Sequence, residues 1–247
     1  MIGFGLDLAG YTTKKTSLAA IESRKKLAEV FLLRNSAFAR KRPTTSLLGS
    51  VVREEAGDLE RCMKLGPIAV DIPIDLQGLP LAPAAKEIWE LTRRPIDKKL
   101  RAMAPFADRI GAPVVRFAAI ANRAGFAGVL GENLFETYPT ATWQKLRIIP
   151  GGYKSRQKEK AKMREMACVA LCGKLKIEPC LTNDDDIDAI ICAITAIATD
   201  DHLCKAEDYG VDCVPRGFRL LKEYPFEEIR VTEARFSEWM DSREKLI

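Results

Sequence analysis

Histidine is almost absent from this 247-residue chain: His202 stands alone, so chemistry carried by an imidazole has one candidate. It follows Asp200 and Asp201 just beyond an apolar segment and reads as a helix-end residue. Seven cysteines, scattered from Cys62 to Cys213, include no C-x-x-C pair, which argues against zinc ribbons and dithiol redox motifs. Cys168 and Cys172, one helical turn apart in an apolar segment, read as core thiols. No apolar run reaches the roughly 18 residues of a membrane span. The opening MIGFGLDLAG also lacks the basic region, apolar stretch and cleavage site of a secretory leader. The expectation is a cytoplasmic protein with reduced thiols and no membrane partner. Internal repeats and low-complexity linkers are missing too.

What is present suits a single folded domain over residues 1–247, with 47% hydrophobic and 30% charged residues. The formal charge of +5 permits nucleic-acid binding without demanding it. IGFGLDLAG is a nearly continuous apolar run ended by Asp and Gly, the pattern of a strand buried on both faces. KTSLAAIES and KLAEVFLLRN predict two more strands in an antiparallel meander with it. From Thr44 to about Leu65, apolar residues recur at helical spacing, with Gly57 a local weakness. Gly66 and Pro67 end that helix, and PIAVDIPID predicts a fourth strand. The β-β-β-α-β order places this strand parallel to the first.

Residues 76–130, rich in proline, read as an insertion covering the sheet edge, with a helical piece near AAKEIWELTRR and a hydrophobic stretch at APVVRFAAIANR. NLFETYPTATW predicts a fifth strand running into a turn at Pro139, and SRQKEKAKMREMACVALCGKL an amphipathic, basic segment. DDDIDAIICAITAIATDDH predicts a deeply buried helix, FRLLKE one further strand, and EARFSEWMDSREK a closing helix.

Asp7, Asp71 and Glu136 each interrupt a short apolar strand near its end. A buried carboxylate needs a hydrogen bond, a cation or a metal to keep its charge. Neighbouring parallel strands lie about 4.8 Å apart, so Asp7 and Asp71 come off their ends side by side, and a cation between them relieves their repulsion. Hard ions such as Mg²⁺ or Mn²⁺ prefer oxygen ligands. In the acidic run, Thr182 and Asp185 fit a capping box, and Asp184 and Asp186 are explained as helix-start residues. Asp188 lies a turn further in, among isoleucines and alanine, and shares a helix face with Asp185. Asp75 is open to two readings, a second ligand or a turn residue.

GLDLAG, AVDIPID, ETYP and D-x-x-D-A in DDDIDA resemble, in this order, family 429 of the domains of unknown function, regarded as RNase H-like nucleases. D-x-x-D-A on an apolar helix also resembles the late motif of Holliday-junction resolvases. The resemblance implies an RNase H-like α/β fold: a five-stranded mixed sheet with helices on both faces. It further implies a two-metal site hydrolysing phosphodiester bonds of a nucleic acid, DNA or RNA. By position, Asp7, Asp71, Asp185 and Asp188 match the metal-binding and catalytic acids, and Glu136 belongs to the pattern. One or two Mg²⁺ or Mn²⁺ ions would be the cofactor. Lys154, Arg156, Lys158 and Lys160 are candidates for phosphate contacts or simply a solvated face. Arg93, Arg94 and the run Arg40, Lys41, Arg42 carry the same two readings.

Two other classes stay open. LDLAGYTTKKTSLA resembles the first phosphate loop of actin-like phosphotransferases, although the second D-x-G loop and Gly-rich adenosine site of that superfamily are not found. A non-catalytic binding protein retaining the acidic site is the third reading.

Overall fold

A computed structural model describes residues 1–10, 16–40, 42, 46–75, 94–100, 102, 111–125, 130–147, 184–198, 210 and 215–246. The strands are β1 (Ile2–Asp7), β2 (Ser17–Arg24), β3 (Leu27–Arg34), β4 (Ile68–Val70), β5 (Leu134–Thr137), β6 (Phe218–Arg219) and β7 (Glu228–Arg235). The helices are α1 (Leu48–Leu65), α2 (Pro95–Leu100), α3 (Gly111–Ala124), α4 (Pro139–Leu146), α5 (Asp184–Ile197) and α6 (Phe236–Glu244). Together they make an α/β protein with one mixed sheet in the order β6-β5-β4-β1-β2-β3-β7. β1, β2 and β3 form the antiparallel meander, β4 lies parallel to β1, and β5, β6 and β7 add parallel pairs. No helix among the described residues is long and apolar enough to cross a membrane.

The sheet has seven strands: the resemblance implied five, FRLLKE predicted a further one, which is β6, and β7 is the addition. β6 pairs with β5, and β7 runs along the whole of β3, from Leu27↔Glu228 to Arg34↔Arg235. In β7 only Ile229 and Val231 turn into the core, and the charged residues between and after them suit a solvated edge. The closing helix therefore starts at Phe236, and the preceding EAR is strand.

Two further expectations change. Pro139 opens α4 instead of a turn; proline is favoured at the first helical position, where its missing N–H costs nothing. The stretch APVVRFAAIANR is helix α3, which packs against α1, and its Phe117 and Ile120 join the core on that side of the sheet. The helical piece near AAKEIWELTRR, the basic segment around residues 154–174 and His202 lie outside the described residues.

Strand alternation divides the core. Phe4, Leu6, Leu18, Ala20, Ile68 and Val70 face α1, α3 and α6. Ala19, Ile21, Ala28, Val30, Leu32 and Val231 face α5. α5 is buried from Asp186 through Ile197 because it lies directly on the middle of the sheet.

Glycine makes that approach possible. A Cβ built on Gly5 would sit 2.0 Å from the Ala189 carbonyl oxygen and 2.2 Å from the Ala193 nitrogen, both helix backbone. One built on Gly3 would lie 2.1 Å from the Ile197 Cγ2. Gly5→Ala cannot be relieved by turning a side chain, so it should cost at least the upper end of the about 1–3 kcal/mol typical of overpacking. Chemical denaturation measures this; a loss below about 1 kcal/mol would contradict so close a strand–helix contact.

Candidate metal centre

The same alternation that puts Gly3 and Gly5 beneath α5 puts Asp7 on that face, at the end of β1. In β4, Ala69 packs against Cys192 and Ala196 of α5, so Asp71, two residues later, faces α5 as well. The Asp71 N–H donates to the Leu6 carbonyl at 3.0 Å, which continues the β1–β4 ladder and sets Asp71 beside Asp7. On α5, Asp188, Cys192 and Ala196 recur every four residues and form one stripe toward β4. Carboxylate oxygens of Asp7, Asp71 and Asp188 consequently lie within 4.8 Å of one another, with Asp188 buried and the two strand aspartates half-buried.

The ladders extend this arrangement into a row across the sheet. Asp7 pairs with Ser17 on one side. On the other, Val70↔Glu136 puts Thr137 in register beside Asp71, and Thr137 pairs with Arg219. Ser17, Asp7, Asp71, Thr137 and Arg219 thus follow one another across five strands near the N-terminal end of α5. Thr137 is 2% exposed, and its hydroxyl has no hydrogen-bond partner.

The other expected site residues are placed elsewhere. Asp185 is half-buried in the first turn of α5 and outside the three-carboxylate group. Glu136 is in register with Val70, not Asp71, and strand alternation turns it to the opposite face of the sheet. There it is 2% exposed and accepts hydrogen bonds from Arg94 Nη2 at 2.6 Å, Arg94 Nη1 at 2.9 Å and the Ile74 N–H at 2.9 Å. Burial pushes its carboxyl pKa up, against the pull of Arg94.

Arg94 is neither a solvated cation nor open to a phosphate: it is 2% exposed and also binds both Asp97 oxygens and the Asp75 carbonyl. Burial opposes its charge, but Asp97 and Glu136 more than compensate and raise its pKa. The Asp75 carboxylate accepts the Arg216 N–H at 2.7 Å, the turn-type role, and Asp75 is not in the three-carboxylate group. Arg40 and Arg42 both reach Glu54. Lys154, Arg156, Lys158 and Lys160 lie outside the described residues.

Asp186 is more than a helix-start acid. Fully buried, it accepts from Arg34 Nη1 at 2.7 Å, Arg34 Nη2 at 2.8 Å and the Ser17 hydroxyl. Sequence spacing could not reveal this, because Arg34 and Asp186 meet only through the sheet order. Thr137 was missed for a related reason: its place beside Asp71 depends on strand register, although it stands inside the ETYP motif.

No protein-family model and no curated protein matches the chain. The class defined by fold and site is therefore an α/β protein with a mixed seven-stranded sheet and an acidic triad able to hold a metal ion.

Glu136→Gln breaks a buried ion pair and should lower unfolding free energy by about 3–5 kcal/mol. Denaturant titration checks this, and a loss below about 1 kcal/mol would refute the buried pairing with Arg94.

Proposed function

We propose that the chain is an RNase H-like nuclease that hydrolyses phosphodiester bonds of a nucleic acid with Mg²⁺ or Mn²⁺. The observation that carries this reading is the convergence of Asp7, Asp71 and Asp188 oxygens within 4.8 Å. Three carboxylates brought together from two strands and a helix make a site that positive charge stabilises, and an all-oxygen donor set suits a hard divalent ion. The buried, unpartnered hydroxyl of Thr137 beside Asp71 also fits a site built for a polar ligand. In support of the fold assignment, β3-β2-β1-β4-β5 form a contiguous five-stranded block with helices on both faces, and β6 and β7 extend its edges.

In this reading Asp7, Asp71 and Asp188 would hold the ion or ions, with Asp185 in the neighbouring first turn of α5. Bound ions of this kind stabilise charge on a phosphoryl oxygen and activate water for in-line displacement. The protein's part is positional. Asp7 and Asp71 are fixed by their ladders, and Asp188 by a helix packed without slack on β1. A cytoplasmic setting accords with this role.

The test is cleavage of single-stranded, duplex, hybrid and branched nucleic acids with Mg²⁺ or Mn²⁺, run beside an ATP-turnover assay. Metal-dependent cutting should fall roughly 100-fold or more in Asp7→Asn, the scale for losing one charge-stabilising group. Cleavage of no substrate, or undiminished cleavage by Asp7→Asn, refutes the nuclease. ATP turnover lost in that variant would favour a phosphotransferase.

A further inference from the structure

We propose that Thr137 and Arg219 form the phosphate-recognising side of the acidic site, so that its substrate is a phosphate ester held on the β5–β6 side of the sheet. This rests on the metal-site reading above. It is carried by two side chains that the triad itself does not use.

The first is the Thr137 hydroxyl. A buried threonine normally satisfies its hydroxyl, as Thr195 does on the Ile191 carbonyl at 2.8 Å. Thr137 is as deeply buried, yet its Oγ1 has no partner. Valine has nearly the same shape and avoids the desolvation cost of an unsatisfied hydroxyl. The Ser36 and Thr142 hydroxyls are buried and unpartnered as well, but of the three only Thr137 stands in the row beside Asp71, where a ligand of the acidic site would meet it. Strand alternation puts it on the α5 face, one strand, or about 4.8 Å, from Asp71.

The second is the Arg219 guanidinium. Arg34, Arg94 and Arg116 are each committed to a buried carboxylate: Asp186, Asp97 with Glu136, and Glu55 respectively. Arg219 donates to the Phe218 carbonyl at 3.0 Å and rests 5.6 Å from the centre of the Phe135 ring. Among the described residues no carboxylate pairs with it. An arginine stacked on an aromatic ring keeps its remaining N–H donors available for a phosphate. It pairs with Thr137 and so stands two strands, roughly 10 Å, from Asp71. A phosphate bound beside Asp71 would lie between that carboxylate and the Arg219 side chain.

At the opposite end of the row Arg34 is held by Asp186 and Glu233. α5 lies mainly over β1, β2 and β4 and less over β5. Among the described residues, the arginine of the row that pairs with no carboxylate is therefore Arg219, on the β5–β6 side.

Calorimetry on the full chain tests this in two stages, first with Mg²⁺ alone and then with inorganic phosphate titrated into Mg²⁺-loaded protein. Arg219→Gln should weaken phosphate binding about tenfold or more, the scale of a lost charge-assisted hydrogen bond. Thr137→Val should weaken it several-fold with melting temperature unchanged or higher, while Thr137→Ser restores it. Mg²⁺ affinity should stay within about twofold of the parent in all three. Phosphate binding that is absent from the Mg²⁺-loaded parent, or equal in parent and variants, overturns the inference and leaves the metal site standing. Loss of Mg²⁺ affinity in Thr137→Val or Arg219→Gln overturns it too, by assigning that residue to the metal. Failure of the parent to bind Mg²⁺ at all overturns both.

Discussion

The contact on which the rest of the structure depends is the seating of α5 directly on the backbone of β1. Gly3 and Gly5 remove the side chains that would hold helix and strand apart, and the helix backbone occupies the space a Cβ would need. Glycine in a strand costs about 0.5–1 kcal/mol relative to alanine. Burial of the isoleucines of α5 against β2 and β3 offsets that cost. The gain is positional, because a helix this close has no freedom to slide, and Asp188 therefore takes its height and rotation from Gly3 and Gly5. Any residue with a side chain at these positions would lift Asp188 away from Asp7 and Asp71.

Strand alternation then sorts the acids into two groups. Asp71 and Glu136 sit on adjacent strands and differ by a single step of register, yet they face opposite sides of the sheet. The first joins the triad; the second is neutralised by Arg94. Buried arginines also bind the described residues that follow β1 and β4. After β4, Arg94 holds the Asp75 carbonyl while Glu136 holds the Ile74 N–H. After β1, Arg116 binds the Ala9 carbonyl at 2.5 Å and the Thr16 hydroxyl at 3.2 Å, anchored by Glu55. Loops so clamped hold the ends of β1 and β4 still, and those ends carry two of the three carboxylates.

This division explains what could be read from the sequence. Asp7, Asp71 and Asp188 were legible because each interrupts an apolar run, and an interrupted apolar run marks a buried charge whatever the fold. The meander, β4 and α5 were legible from periodicity. The partner of a buried charge was not legible, since Arg94 and Glu136 are 42 residues apart and Arg34 and Asp186 are 152 apart. Glu136 therefore looked like Asp71, and Arg94 looked like a surface cation. β7 escaped notice because an edge strand with two buried residues carries almost no hydrophobic signal. Pro139 looked like a turn because proline opens helices and turns alike.

The donor chemistry narrows the choice of ion more than the number of carboxylates does. Cys192 is one helical turn from Asp188 on the same stripe, but it packs against Ala69, further back along the sheet than Asp71. Among the described residues, burial and sheet geometry thus keep Cys192 out of the triad, which is made of oxygen donors. Zinc favours thiolate and imidazole, whereas Mg²⁺ and Mn²⁺ favour carboxylate and water. Mg²⁺ also retains several waters when bound by one or two carboxylates. In the proposed function, two half-buried strand aspartates with one buried helical aspartate behind them would hold such an ion through oxygen alone. The donor set thus fits the hard ion of that proposal better than a soft one, because neither a thiolate nor an imidazole belongs to the triad.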